Sequence, residues 1–510
     1  LAGVLQHFIL DEKNEYINKL YLYLLEKKII VRPNAIASNV INGLLLNTNL
    51  KDNFSLIENI NYPKNLNKIL EELNKNKLLL QFMKVCPVPN YYFEKNFIKI
   101  RSEILNQIYN LKFKKIYLKF LIALSAQCFL NEYIYQETDE EIFKVNEINE
   151  RIKNNINTKQ IKDLEILILS CYSPLYSFDW CKKINPSNEL EETFILQYKN
   201  YNEETRHAKK IKSITDISDS VSIKVKNQYE ENPYPRWTNL GLSIEPKAIK
   251  EVIADINLNI DLKKINFSKN VEILIAGCGT GQHAITTASK YKNAEIFALD
   301  LSFNSLAYAK RKAKELNCKN INFIQGDLLD IRKLNKKFDI IESVGVLHHM
   351  AEPLIGWETL TDCLKKDALM LIGLYSEKAR ENIANIRKNI SSLKIKTSKK
   401  NIINFRKDIL ENYNTKWDSI KYSPDFYSTS GVRDLLFHVQ EHRFTVQKIR
   451  SYINKLGLVF LGFEDTYVLD RFKKKYDQIN DLYNLDLWNK FELDNPRIFA
   501  GMYQFWCKKI

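Results

Sequence analysis

The chain has 510 residues, 45% of them apolar, which exceeds what one hydrophobic core usually serves and predicts two packed domains. Lysine and arginine (76) outnumber aspartate and glutamate (61) for a formal charge of +15, a surplus that speaks to solubility and non-specific association rather than to fold or reaction. The eight cysteines are scattered with no C-x-x-C pair, which argues against a zinc ribbon or a disulfide framework and predicts no metal and a reducing, cytoplasmic setting.

From residue 1 to about 215 glycine is sparse and apolar residues recur at helical spacing, as in Tyr16, Leu20, Leu24 and Leu25, or Phe113, Tyr117, Phe120, Leu121 and Leu124. This predicts an all-α N-terminal domain of five or more helices, with breaks at Arg32–Asn34, Pro87–Asn90 and Ser173–Ser177. No helical-repeat period recurs along it. The most apolar stretch, Tyr117–Leu130, is too short to span a bilayer and carries Lys119, so a buried helix and no membrane are expected. The chain begins at Leu1 with no initiator methionine, and segments upstream are left open.

Residues 216–243 read as a linker or lid. They hold Tyr229-Glu-Glu-Asn-Pro-Tyr-Pro-Arg-Trp237, where two prolines block a continuous helix and three aromatic rings need a surface to pack on. Residues 244–510 then read as an α/β domain. Five β-rich runs alternate with amphipathic helices: Val271–Ala276, Ala294–Asp300, Asn320–Gln325, Phe338–Val344 and Ala368–Tyr375. An insertion at about 378–445 follows, with a helix expected at 433–442, then a helix near 446–456. Two late strands, Leu458–Glu464 and Phe499–Cys507, complete a seven-stranded sheet whose last strand should insert antiparallel.

The first run ends in Gly277-Cys-Gly-Thr-Gly281 and opens a helix. Glycine removes the Cβ that would keep a ligand from the backbone, and the helix N-terminus offers unpaired N–H groups, so a nucleotide-like ligand is expected. A dinucleotide fingerprint would need glycine at 282, where Gln282 stands. Asp300 closes the second run, placed for two ribose hydroxyls, and Asp327 follows the third, placed for an adenine amino group.

These residues, with Glu342-Ser-Val-Gly-Val-Leu-His-His-Met350 after the fourth run, resemble the successive motifs of the class I, Rossmann-like S-adenosylmethionine-dependent methyltransferases. The resemblance is strong over roughly 110 residues. It implies S-adenosylmethionine as cofactor, with Gly277, Cys278, Gly279 and Gly281 near its methionine part, Asp300 and Leu301 at the ribose, Asp327 and Leu328 at the adenine, and Glu342 and Val344 near the sulfonium. Ala276 departs from the family, where many members carry an acidic residue before the first glycine. The segment 229–237 and Phe437–Phe444 also resemble uncharacterised bacterial methyltransferases with a helical, sometimes tetratricopeptide-bearing, N-terminal region.

On the acceptor side His348 and His349 are expected as bases, with Tyr234 at the pocket wall. The bland alternatives are a structural turn for the histidines and a linker for the tyrosine. His438-Val-Gln-Glu-His442 matches a zinc-peptidase pattern in a fold that does not suit it; lining the acceptor pocket, or simple packing, fits better. Asn232-Pro-Tyr-Pro resembles the tetrapeptide of enzymes that methylate DNA amino groups, but precedes the first strand instead of following the fourth. The expected function is methyl transfer to an unidentified acceptor, small molecule or protein before nucleic acid, with a protein partner for the helical domain. An RNA methyltransferase and a non-catalytic cofactor-binding scaffold are the alternatives; lysine without clustered arginine and aromatic platforms weakens the first.

Overall fold

The computed structural model describes residues 13–58, 63–109, 117–157, 161–412 and 415–509. It divides into two compact units. One comprises Leu1–Glu203, Pro235–Gly241 and Ile395–Leu435; the other comprises Glu204–Tyr234, Leu242–Lys394 and Leu436–Ile510.

The first unit is helical. Its helices start where local chemistry satisfies their free N–H groups: Pro33 occupies the first turn of Pro33–Asn47, the Asn90 side chain accepts from Tyr92 and Phe93 to open Tyr91–Asn106, and Thr138 with Glu141 forms a capping box at Asp139–Asn154. Phe113, counted above in a helical pattern, lies outside the described residues; the helix there runs Leu118–Leu130. The segment 395–435 is fastened to these helices by a buried ion pair in which both Glu94 oxygens accept from Arg406, at 2.6 and 2.5 Å.

The second unit is built on a mixed sheet whose strands are β1 (Lys212–Ser213), β2 (Val271–Ala276), β3 (Ala294–Asp300), β4 (Ile321–Gln325), β5 (Phe338–Val344), β6 (Leu364–Leu374), β7 (Leu458–Phe463) and β8 (Tyr503–Lys509). Their order is β1-β4-β3-β2-β5-β6-β8-β7, and among these strands β8 alone runs opposite to the others. Apolar clusters cover both faces, one around Trp357 and Trp488, the other around Ile273, Ile340 and Trp506, as a mainly parallel sheet requires.

The sheet therefore has eight strands where seven were expected. The extra one, β1, is two exposed residues too short to show alternation, held by pairing to β4 and by a 2.6 Å bond from Ser213 Oγ to Gln325. The last strand begins at Tyr503 and not at Phe499, because Phe499 is buried in the turn that leads to it. Within 216–243 a helix runs Ser220–Glu231, capped by Asp219 and stopped at Asn232 before Pro233. The helix expected at 433–442 ends at Phe437. Beyond it the N–H groups of His442 and Phe444 are spent on the carbonyls of His348 and Tyr375, at 2.7 and 2.9 Å, so the chain runs extended past the ends of β5 and β6.

Candidate active site

Strand order reverses between β2 and β5, and the loops after these strands meet at the carboxyl edge, where an open α/β sheet forms its ligand crevice. Gly277, Gly279 and Gly281 all have positive φ, of 75°, 52° and 87°. A Cβ on Gly277 would strike Val346 at 2.3 Å, one on Gly281 would strike Ala309 at 2.6 Å, and one on Gly279 would come within 3.1 Å of the Tyr234 carbonyl oxygen. The glycines thus serve both the bend and the close approach of neighbouring segments.

Asp300 ties this loop to β3. Its carboxylate accepts the Gly279 N–H at 2.8 Å and the Ser302 N–H at 2.9 Å. Burial pushes its pKa up, to about 6, against the opposing pull of these two bonds. The Leu301 N–H bears on the carboxylate as well, so three of its roughly four lone-pair positions face backbone donors and capacity for a ligand hydroxyl remains. The Leu301 carbonyl accepts from Gln325. Asp327 caps the turn that begins at Leu328 by accepting the Leu329 N–H at 3.0 Å; burial raises its pKa, and the hydroxyl of Ser222 opposes that. Leu328 and Cys278 are buried in the two apolar clusters, and Val344 packs against one of them.

Glu342 is engaged elsewhere than expected. It accepts from Thr287 at 2.8 Å and lies 2.6 Å from His283 Nε2, both on the helix Gln282–Lys290 that follows the glycine loop. Burial would raise its pKa, but His283, Lys290 and the Thr287 hydroxyl together outweigh this and hold it below the usual range.

The helix Ser220–Glu231 is fixed at this edge by Glu230. Its carboxylate accepts the N–H groups of Phe303 and Asn304, at 2.8 and 3.0 Å, and the Asn304 side chain returns a bond to the Glu230 carbonyl at 2.8 Å. These N–H groups open the helix Phe303–Glu315, so a carboxylate sits at its positive end.

Beyond β5 and β6 lies a cluster of rings. His348 is fully buried, stacks on Tyr375 (centroids 3.8 Å apart), and neither of its ring nitrogens has a hydrogen-bond partner. His349 stacks on His438 at 3.6 Å, with its Nδ1 2.7 Å from the Gln440 carbonyl, which makes Nδ1 the protonated nitrogen. His438 Nδ1 accepts from the Gln440 N–H, and its Nε2 meets the Tyr229 hydroxyl at 3.2 Å. Burial drives all three imidazoles down, His349 to about 4, so they are neutral at pH 7. Arg380 lies over the Tyr375 ring at 3.6 Å and pairs with Glu441.

Of the residues picked from sequence, the structure gathers His348 and His349 here, and Gly279, Asp300 and the Tyr234 carbonyl at the neighbouring loop. Tyr229 was placed in the lid, yet it is the tyrosine whose hydroxyl reaches the histidines. Tyr375, Arg380, Gln440 and Glu441 were missed. The position of Tyr375 at the end of a predicted strand was the available signal.

Residues 267–423 match a family described as a methyltransferase domain. An uncharacterized protein of Synechococcus is 29% identical over 232 residues, which cover 43% of this chain and 56% of that protein. A release factor glutamine methyltransferase of Flavobacterium psychrophilum is 30% identical over 185 residues, covering 36% of this chain and 59% of that protein. The chain thus spans between half and three fifths of the length of these curated relatives. Among solved structures, PKMT2 from Rickettsia typhi aligns over 48% of this chain and 50% of its own, with 15% identity and a TM-score of 0.37. Among the described residues no helix is long and apolar enough to cross a membrane. Over residues 267–423 the chain is similar to a methyltransferase domain, and that region includes the central strands β2 to β6 of the sheet described above.

Proposed function

We propose that this chain transfers a methyl group from S-adenosylmethionine to a small-molecule or protein acceptor seated beside His348. One observation carries the reading: a glycine loop bent by three positive φ angles, braced by Asp300, adjoins a buried imidazole with both nitrogens unpartnered. Buried polar groups are rarely left so, and a ligand that completes His348 is the direct explanation.

Gly277, Cys278, Gly279 and Gly281 would floor the cofactor site, Asp300 and Leu301 would hold the ribose, and Asp327 with Leu328 the adenine. Val344 would wall the reacting end, while Glu342 acts through His283 and Thr287 to hold the helix after the loop. S-adenosylmethionine, when bound, supplies a methyl group whose carbon–sulfur bond breaks toward sulfur as the acceptor's lone pair attacks. The protein's share of the work is placement and exclusion of water. Helix Ser220–Glu231 and Tyr234 cover the edge, and Tyr234 bounds the pocket through the backbone carbonyl that meets the loop. The acceptor's proton grows acidic as the new bond forms, so even the weakly basic, neutral His348 can take it, with His349 setting its surroundings.

Calorimetry tests the reading. S-adenosylmethionine and S-adenosylhomocysteine should bind and NAD should not; tight NAD binding with no heat from the other two would sink it. His348→Asn should keep S-adenosylhomocysteine affinity and lose most turnover.

A further inference from the structure

The two ends of the helix Ser220–Glu231 are bonded to different halves of the site. Its first turn meets the adenine side, where the hydroxyl of the buried Ser222 donates to Asp327. The chain just before it is pinned on either side of Asp327, by Ser213 Oγ to Gln325 at 2.6 Å and by Thr215 Oγ1 to Asp330 at 2.7 Å. Its last turn meets the acceptor side. There the Gln228 side-chain oxygen accepts the Val439 N–H at 3.3 Å, and the Tyr229 hydroxyl lies 3.2 Å from His438 Nε2.

Residues seven apart share one face of a helix, about 10 Å from each other, so Ser222 and Tyr229 ride on one stripe with the buried Val225 between them. A displacement at one end is therefore carried to the other. The segment 438–442 in turn holds the imidazoles: His438 stacks on His349, and the His442 N–H donates to the His348 carbonyl at 2.7 Å. At the opposite end, two donors on one carboxylate lie within van der Waals reach of each other, so an adenine bonded to Asp327 would rest against the turn that carries Ser222. A ligand that adds contacts to the docked helix depletes the states in which the helix is undocked, and both ends gain.

We propose that this helix couples the two halves of the site: adenine at Asp327 fixes it through Ser222, and it fixes the segment 438–442 through Gln228 and Tyr229, so the methyl acceptor binds the cofactor-loaded protein in preference to the empty one. Ser222 and Gln228 are then positioning residues. This rests on the methyltransferase reading of the site and adds the order of binding.

The Val439 N–H is the reporter. Hydrogen–deuterium exchange of the full chain, read by mass spectrometry, compares the free protein with the protein saturated with S-adenosylhomocysteine. The ligand should slow exchange of the peptide containing Val439 about five-fold or more. Ser222→Ala, saturated with the same ligand, should lose that response, and Ser222→Thr, which restores a hydroxyl, should keep it. Gln228→Leu, at the far end of the helix, should lose it too, and it carries the test by itself should Ser222→Ala fail to fold. A Val439 peptide indifferent to the ligand in the unmodified chain, or a response that survives Gln228→Leu, would overturn the coupling. Failure of S-adenosylhomocysteine to bind the unmodified chain in calorimetry would instead strike the cofactor reading, so the two failures are distinct.

Discussion

Asp300 and Gly279 are joined by a 2.8 Å bond from the glycine N–H to the carboxylate, so the residue expected to hold the ribose also holds the loop on which the ligand rests. Asp300→Ala should then weaken S-adenosylhomocysteine binding by about ten-fold or more, since charge-assisted bonds of roughly 1.5–3 kcal/mol each are lost with the loop's brace. The pKa of about 6 adds a pH signature. In the unliganded protein, Asp300 has its folded-state pKa raised above 3.8, so its contribution to stability is full below that value and lost as pH rises through about 6. Binding needs the carboxylate as acceptor and runs the other way: affinity should fall as pH drops through about 6, and Asp300→Asn should flatten that dependence. A pH-independent wild type would refute the assignment.

Glu230 is the fastening of the helix Ser220–Glu231. Glu230→Ala should free the first N–H groups of Phe303–Glu315, cost about 1 kcal/mol of stability, and expose residues 216–234 to limited proteolysis. S-adenosylhomocysteine should protect this segment in the wild type and much less in the variant. If cleavage is the same with and without ligand in both proteins, the segment is a structural linker.

His349 makes acid sensitivity measurable. Its folded pKa is lowered from 6.5 to about 4, so the neutral form's contribution to stability is present above 6.5 and lost as pH falls from there toward 4. His348 and His438 are shifted in the same direction. Urea unfolding at pH 7.5 and pH 5 should show a drop in stability, and His349→Gln should reduce it by up to about 1.4 kcal/mol per pH unit across that window. An unchanged drop would place the acid-labile group elsewhere.

The parts legible in the sequence were those written in short range. Each strand of the seven is a local apolar run, and the glycine loop and Asp300 lie within 24 residues of one another, so order along the chain placed them. The acceptor side is written in long range. Tyr229 meets His438 across 209 positions and Arg380 meets Glu441 across 61, partners that no local pattern links. The helix expected through 442 failed because competing acceptors on His348 and Tyr375, invisible to periodicity, capture its N–H groups. The grouping of 395–435 with the helical unit was hidden for the same reason: Glu94 and Arg406 stand 312 residues apart.

That ion pair allows a test of the helical unit by itself. Glu94 and Arg406 are each about 3% exposed, Arg406 also donates to the Phe426 carbonyl at 2.5 Å, and its guanidinium lies 5.2 Å from the rings of Phe426 and Tyr427. Burial disfavours the charge on Arg406, and Glu94 more than offsets this, so the arginine depends on its partner. Removing one member strands a buried charge, whereas removing both leaves a mainly apolar gap. Glu94→Gln should therefore cost about 3–5 kcal/mol. The double variant Glu94→Gln with Arg406→Met should recover a large part of that loss, because the stranded guanidinium is gone and the long apolar chain of methionine fills its place. Denaturant unfolding of the single and double variants gives the coupling directly. If the double variant is as unstable as the sum of the two singles, the pair is not coupled, and 395–435 is held to the helices by apolar packing around Phe405 and Phe426.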